Sequence, residues 1–354
     1  MYTRRRAYVK GTRPENMRGA HLSITLLVAL MLLWATLSPQ TIVEAESDSC
    51  EDGLACESLK LNTGSNVVVM QEITAIWCEI CAYADTTIQQ FSNQRHKEVA
   101  RIAYHPDDGT DFLGNRLSTR QMWNLGQNPT EAEYPTLWMD GDYKVSGPVS
   151  ETQLHQTYLK AAGQRTSEEN LEIDYYNRGN NGTDENRLEI IATISGENAE
   201  AITFVLTNNR VEIENAELYN GVRYHDNVAT AGIIVNPNNG SIIFSEPSYS
   251  WSVSNWGQEE NNTELQVNYN FSANPTDDTL KQKSLVVYTE DNTGKVIAAQ
   301  QIQSANTIAE DEYNSIIIIG GITLIGLLLA TPALQSFNES KTDNNGKPGA
   351  ESEE

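Results

Sequence analysis

Basic residues are scarce in this chain: 24 Lys and Arg stand against 48 Asp and Glu over 354 residues, a formal net charge of −24. A surface of that sign repels nucleic acid and anionic lipid and suits a solvated domain. Cysteine is scarcer still. There are 4 in all, Cys50, Cys56, Cys78 and Cys81, and none beyond residue 81.

Long apolar runs are confined to the two ends. Residues 22–37 form one, behind Arg4, Arg5, Arg6, Lys10, Arg13 and Arg18 and ahead of Val43-Glu44-Ala45. Basic flank, apolar core and small-residue site together read as a secretory signal peptide over residues 1–45. Starting at Met17 would give a signal of ordinary length, while Arg5-Arg6 is similar to a twin-arginine signal set unusually far from the apolar run. Residues 315–334 form the second run, uncharged and long enough to cross a hydrocarbon core, so a single transmembrane helix is expected there. Glu310, Asp311 and Glu312 precede it, and Lys341 and Lys347 follow. That asymmetry predicts a cell-membrane protein with one span, its bulk outside the cytoplasm and residues 335–354 as a cytoplasmic tail.

Outside the cytoplasm, an even number of cysteines favours disulfides over metal. Two pairs can in principle bind zinc tetrahedrally, but the wide Cys50 to Cys56 spacing argues against it, and neither metal nor cofactor is expected. Cys50 and Cys56 lie in an acidic linker, residues 46–65, where a local structural disulfide is the favoured reading and a redox relay to the second pair the alternative.

Trp77-Cys78-Glu79-Ile80-Cys81 is different, because it sits where an apolar strand, residues 66–74, gives way to a helical run, residues 83–91. Two thiols spaced Cys-x-x-Cys at a helix start can make and break one disulfide, and the positive end of the helix stabilises the first as thiolate. From 66 to 166, short strands alternate with amphipathic helices, which predicts a layered α/β sheet. From 168 to 306 the helix period is lost. Seven or eight alternating apolar runs separated by Asn-Gly and similar turns predict an antiparallel β-sandwich. Asn181, Asn239, Asn261 and Asn270 each open a glycosylation sequon in that region.

Tyr134-Pro135-Thr136-Leu137 opens a further apolar run that ends at Asp140-Gly141. With Trp77-Cys78-x-x-Cys81 it resembles the thioredoxin superfamily. The resemblance implies an α/β thioredoxin-like domain in which Pro135 is cis, packs against the dithiol and shapes a peptide groove. It also implies that Glu72, six residues before Cys78, is the buried acid that manages the proton of Cys81, and it matches Trp77 to the family's tryptophan. The order of motifs over residues 67–302, including Asn220-Gly221-Val222-Arg223-Tyr224-His225-Asp226-Asn227, is similar to the Omp-type thioredoxin-fold outer-membrane protein family. This chain departs from that family in its expected transmembrane helix.

Two functions compete on these residues. The first is a membrane-anchored, extracytoplasmic thiol–disulfide oxidoreductase: Cys78 attacks a protein disulfide, Cys81 resolves the mixed disulfide, and a separate redox partner resets the pair. Glu79 between the thiols disfavours a thiolate at Cys78 and points to reducing or isomerising chemistry. The second is a non-catalytic surface binding or adhesion protein whose β-sandwich does the binding and whose Cys78–Cys81 bond is permanent. His105 is a candidate to tune the dithiol or, more simply, to cap its loop.

Overall fold

The computed structural model describes residues 56–61, 67–165, 170–178, 185–196, 198–259, 262–272 and 283–303. The elements run β1 (Cys56–Leu61), β2 (Val68–Ile73), α1 (Glu79–Gln94), β3 (Val99–Tyr104), α2 (Arg116–Asn124), β4 (Thr136–Met139), β5 (Tyr143–Ser146) and α3 (Glu151–Ala162). Strands only follow, apart from one short 3-10 turn: β6 (Asn170–Arg178), β7 (Glu185–Ser195), β8 (Ala201–Asn208), β9 (Val211–Glu212), β10 (Tyr224–His225), β11 (Val228–Val235), β12 (Ile242–Glu246), β13 (Trp251–Glu259), β14 (Asn262–Ser272), β15 (Lys283–Glu290) and β16 (Val296–Ile302).

All six residues of β2 are buried, because successive side chains leave a strand on opposite faces and both faces are covered. Val68 and Met70 join Ala84 and Ile88 of α1 and Leu154 of α3 in one core cluster. Val69 faces the other way, into a cluster with Ala100, Ile102 and Leu117. Caps set the helix starts. α1 begins ahead of its apolar period because Cys78 is its N-cap, the Cys78 Sγ accepting the Cys81 N–H at 3.1 Å. At α2, Asn115 Oδ1 accepts the Ser118 N–H at 2.9 Å while its Nδ2 donates to the Ala229 carbonyl of β11 at 2.7 Å. Ser150 and Gln153 form a capping box on α3.

Nine strands make one mixed sheet in the order β16-β15-β8-β11-β3-β2-β4-β5, with β12 also paired to β11. β2 and β3 are parallel. β11 joins β3 in parallel through Val228 and Ala103, where the Ala103 N–H donates to the Asn227 carbonyl at 2.8 Å. A second, antiparallel sheet, β1-β6-β7-β14-β13, covers one face of the β8, β11, β15 and β16 region. Ile190, Ile194, Phe204, Ile233, Val267 and Val287 belong to the core between them. The large sheet also curls on itself, for Val205, Val286, Tyr288 and Ala299 share a core with Val69, Ile102 and Tyr104. Where its ends meet, the Asp140 carbonyl accepts the Val296 N–H at 3.0 Å. Its carboxylate accepts from Val69 N–H at 2.9 Å and Arg165 at 2.6 Å. Gly141 belongs to the same junction: its φ is +71, and a Cβ there would stand 2.4 Å from the Gly294 carbonyl oxygen.

This corrects the expected fold class. Sixteen strands and three α-helices among the described residues make a mostly β structure, which does not fit an α/β thioredoxin-like domain followed by a separate β-sandwich and a transmembrane helix. Local period reports which residues are buried. It does not report that the edge of β3 will be taken by a strand from the second half of the chain. The expected single-pass membrane localisation is corrected too: among the described residues no helix is long and apolar enough to cross a membrane. Residues 1–45, the linker up to Cys56 and residues 315–354, on which the signal, relay and anchor readings rested, lie outside the described residues.

Glu290, at the end of β15, is buried in this sheet, and burial pushes its carboxyl up to about 7 from 4.5. The Thr203 hydroxyl donates to it at 3.2 Å and opposes the shift. The folded chain therefore holds a proton that the unfolded chain releases, and stability falls as pH rises from 4.5 to about 7. Glu290→Gln should match the wild type near pH 4 and exceed its stability by about 3 kcal/mol above neutrality, measured by denaturant unfolding at both pH values.

Candidate functional site

Residues 74–78 leave β2 and are held from three directions before α1 begins. The Thr74 N–H donates to the Tyr104 carbonyl at 3.1 Å, and the Cys78 N–H closes a turn on the Ala75 carbonyl at 3.1 Å. Asp111 reaches in from the loop after β3, its Oδ2 accepting the Ile76 N–H at 2.9 Å. Asn220, far along the chain, donates its own N–H to the Ile76 carbonyl at 2.9 Å. Its Nδ2 donates to the Ala75 and Cys78 carbonyls, each at 3.3 Å. The loop is thus fixed by groups from both halves of the chain.

Cys78 and Cys81 form a disulfide with Cα atoms 5.2 Å apart. Cys81 is fully buried and Cys78 is 7% exposed, so Cys78 is the sulfur an incoming group meets first. The pair packs with Ala75 and Tyr134. The Tyr134–Pro135 peptide is cis, and Pro135 itself is buried. Trp77 stands edge-on to Tyr134 with ring centroids 5.0 Å apart and donates its Nε1–H to Asp108 at 2.9 Å. Burial, with Asp108 and Asp111 nearby, pushes the Tyr134 phenol up to about 12, so it stays neutral. The structure therefore brings Trp77, Cys78, Cys81 and the Tyr134–Pro135 turn together.

Glu72 lies in β2 in another company. Its Oε2 accepts from Arg101 Nε at 2.8 Å and Nη2 at 2.7 Å, with both side chains buried. Burial opposes the charge of Arg101, but Glu72 and Asp85 beside it outweigh that effect and raise its pKa. Asp85, on α1, accepts from the Thr74 hydroxyl at 3.1 Å. Burial first, then the Glu72 carboxylate, drive the Asp85 carboxyl well above the usual range. His105 is fully buried, with Nδ1 2.8 Å from the same Asp111 oxygen that holds Ile76. It therefore meets the dithiol loop through Asp111. The His225 ring crosses the His105 ring at 5.3 Å, and burial with His105 nearby lowers its pKa to about 4.

Reading the sequence misses Asp85, Arg101, Asp111 and Asn220. Two of these carry a signal, since Asp85 falls on the apolar face of α1 four residues after Cys81, and Arg101 interrupts the all-apolar run of β3. Asp111 has none, and Asn220 is marked only as the first residue of the Asn220 to Asn227 run, with nothing local to tie it to the dithiol loop. Exposed apolar residues lie in the segments that meet at the loop: Trp77, Ile80 and Tyr83 in that of the pair, and Phe112 and Tyr219, next to Asp111 and Asn220, whose rings meet at 5.8 Å. Among the described residues no group of three or more His, Cys, Asp or Glu can hold a metal ion.

Asn220→Ala removes both side-chain donors from the loop while leaving its backbone contact. A loss of about 1 kcal/mol in unfolding free energy is expected, together with faster reduction of Cys78–Cys81 by a small thiol, read by alkylation of the freed cysteines.

No protein-family model matches this chain, and no curated protein matches it. Among solved structures it is similar to the crystal structure of protein AGR_C_4864 from Agrobacterium tumefaciens, with 16% identity, 67% of this chain and 93% of that chain covered, and a TM-score of 0.39. A likeness of that size carries no argument about fold or activity, and membership of the thioredoxin superfamily is not shown.

Proposed function

We propose that the chain is a thiol–disulfide oxidoreductase acting on protein disulfides through Cys78 and Cys81. The observation that carries this reading is the position of Cys78: it caps α1, its sulfur accepts a helix N–H, and it lies outside the fully buried Cys81. A thiolate there sits at the positive end of a helix of 16 residues and is stabilised by it. In the reducing direction the Cys78 thiolate attacks one sulfur of a substrate disulfide and the other sulfur leaves as thiolate. Cys81 then attacks Cys78, releasing the second substrate sulfur and forming the Cys78–Cys81 bond. The substrate is reduced by two electrons and the pair is oxidised by two, so a separate redox partner has to restore it.

The rim supports a polypeptide as substrate. Trp77, Ile80 and Tyr83 offer apolar surface in the segment that carries Cys78, and Phe112 does so next to Asp111, whereas Glu79, Asp107 and Asp108 are exposed acids in the same segments. Cysteines flanked by apolar or aromatic residues suit that surface better than acidic ones. The competing reading, a binding protein with a permanent disulfide, draws on the small exposure of Cys78.

Cys81→Ser separates the two. With the resolving thiol gone, Cys78 should accumulate mixed disulfides with a short peptide disulfide, faster when the peptide carries aromatic flanks than when it carries aspartates. Cys78→Ser should form none. An intact fold that traps no peptide in Cys81→Ser makes the bond structural and favours the binding reading.

A further inference from the structure

The buried charges behind the disulfide do not balance. Glu72 and Asp85 face a single guanidinium, and Arg101 directs both its donors to Glu72 Oε2. Glu72 Oε1 is buried with no hydrogen-bond partner, and the Asp85 carboxyl lies within hydrogen-bonding reach of the Glu72 side chain. A proton on Asp85 removes the excess negative charge and supplies the donor that Oε1 lacks. Both Arg101 donors are directed to Glu72, and burial with Glu72 alongside drives the Asp85 carboxyl upward, so Asp85 is the group left to carry the proton.

Asp85 is also placed to use that proton. It stands four residues after Cys81, and both side chains lie on the buried face of α1, where i and i+4 side chains are neighbours. Asp85 also lines a polar cavity of about 30 Å³ with Thr74, Gln89, Arg101, His225 and Asp226 among others, large enough for a water molecule. Gln89 donates to Asp226, which is half-buried, and the partly exposed Tyr224 also lines the cavity. A proton thus has a polar way between Asp85 and solvent.

We propose that Asp85, and not Glu72, exchanges the proton of Cys81. The step rests on the exchange reading above. When an external thiolate attacks Cys78 Sγ, the Cys78–Cys81 bond breaks, the bonding electrons leave with Cys81, and Asp85 protonates that sulfur. The products are a Cys78 mixed disulfide, a Cys81 thiol and an Asp85 carboxylate. In reverse, Asp85 takes the proton from Cys81, which attacks Cys78 Sγ and expels the external thiolate.

The test is rapid mixing of the oxidised full chain with 2-mercaptoethanol, followed by alkylation of the freed Cys81. The wild-type rate per unit thiolate should fall as pH rises through the ionisation of Asp85, because the donor is lost. Asp85→Asn should lower the rate about 100-fold and flatten that profile, and Asp85→Glu should restore part of both. Should the asparagine variant fail to fold, the wild-type profile decides: a flat one overturns the proposal. An Asp85→Asn rate within a factor of about two of wild type, on a chain that does exchange, overturns Asp85 alone. A wild-type disulfide that does not react with the thiol overturns the exchange reading and this step with it.

Discussion

The buried pair of Glu72 and Arg101 is the constraint around which the site is arranged. It crosses from β2 to β3 with both charges out of water, and an ion pair so placed is costly to desolvate and worse to break, because either partner left alone is an uncompensated buried charge. That penalty ties β2 to β3 below the dithiol loop. It also bears on Asp85, whose carboxyl is driven upward by burial first and by the neighbouring Glu72 second. Thr74, immediately before the loop, donates to Asp85, so the electrostatics of the sheet interior reach the turn that carries Cys78.

The loop itself depends on backbone hydrogen-bonding groups that helix and sheet leave free. A chain leaving a parallel strand and entering a helix has unsatisfied N–H and C=O groups, and burying them without partners is costly. Asp111 takes the Ile76 N–H and Asn220 takes three carbonyl contacts, one of them with its own N–H. Both are polar groups from other segments: Asp111 comes from the loop after β3, and Asn220 from the segment that leads to β11. The curl that brings β16 to β4 and β5 therefore does more than close a core. Together with the parallel bridge between β3 and β11, it carries the segment around Asn220 to the mouth of the site.

Much of the chain can be read from its local pattern. Among the seven or eight runs expected as strands in the second half, residues 201–207 are most of β8, 284–288 the middle of β15, and 296–302 coincide with β16. β12 is missed, because Ile242 and Ile243 are exposed and show no alternation to mark a strand. For the site, the dithiol at a helix start, Trp77 and the Tyr-Pro-Thr run are legible because they are contiguous or recur at short spacing. Glu72 is legible as a buried acid but not as the partner of Arg101, since that pairing belongs to strand register.

What the sequence by itself determined is local: a cysteine pair at the start of a helix, a strand before it, a turn at Tyr134–Pro135, and strands in the second half of the chain. Hydrophobic period and capping chemistry act over a few residues, and they suffice for that. The tertiary structure alone decided that one sheet runs through both halves, that Asn220 holds a loop 142 residues away, and that Glu72 meets Arg101 across β2 and β3. Those outcomes follow from which strand edges pair and which buried charges must be neutralised. Both are settled by contacts between distant segments, which no local pattern records.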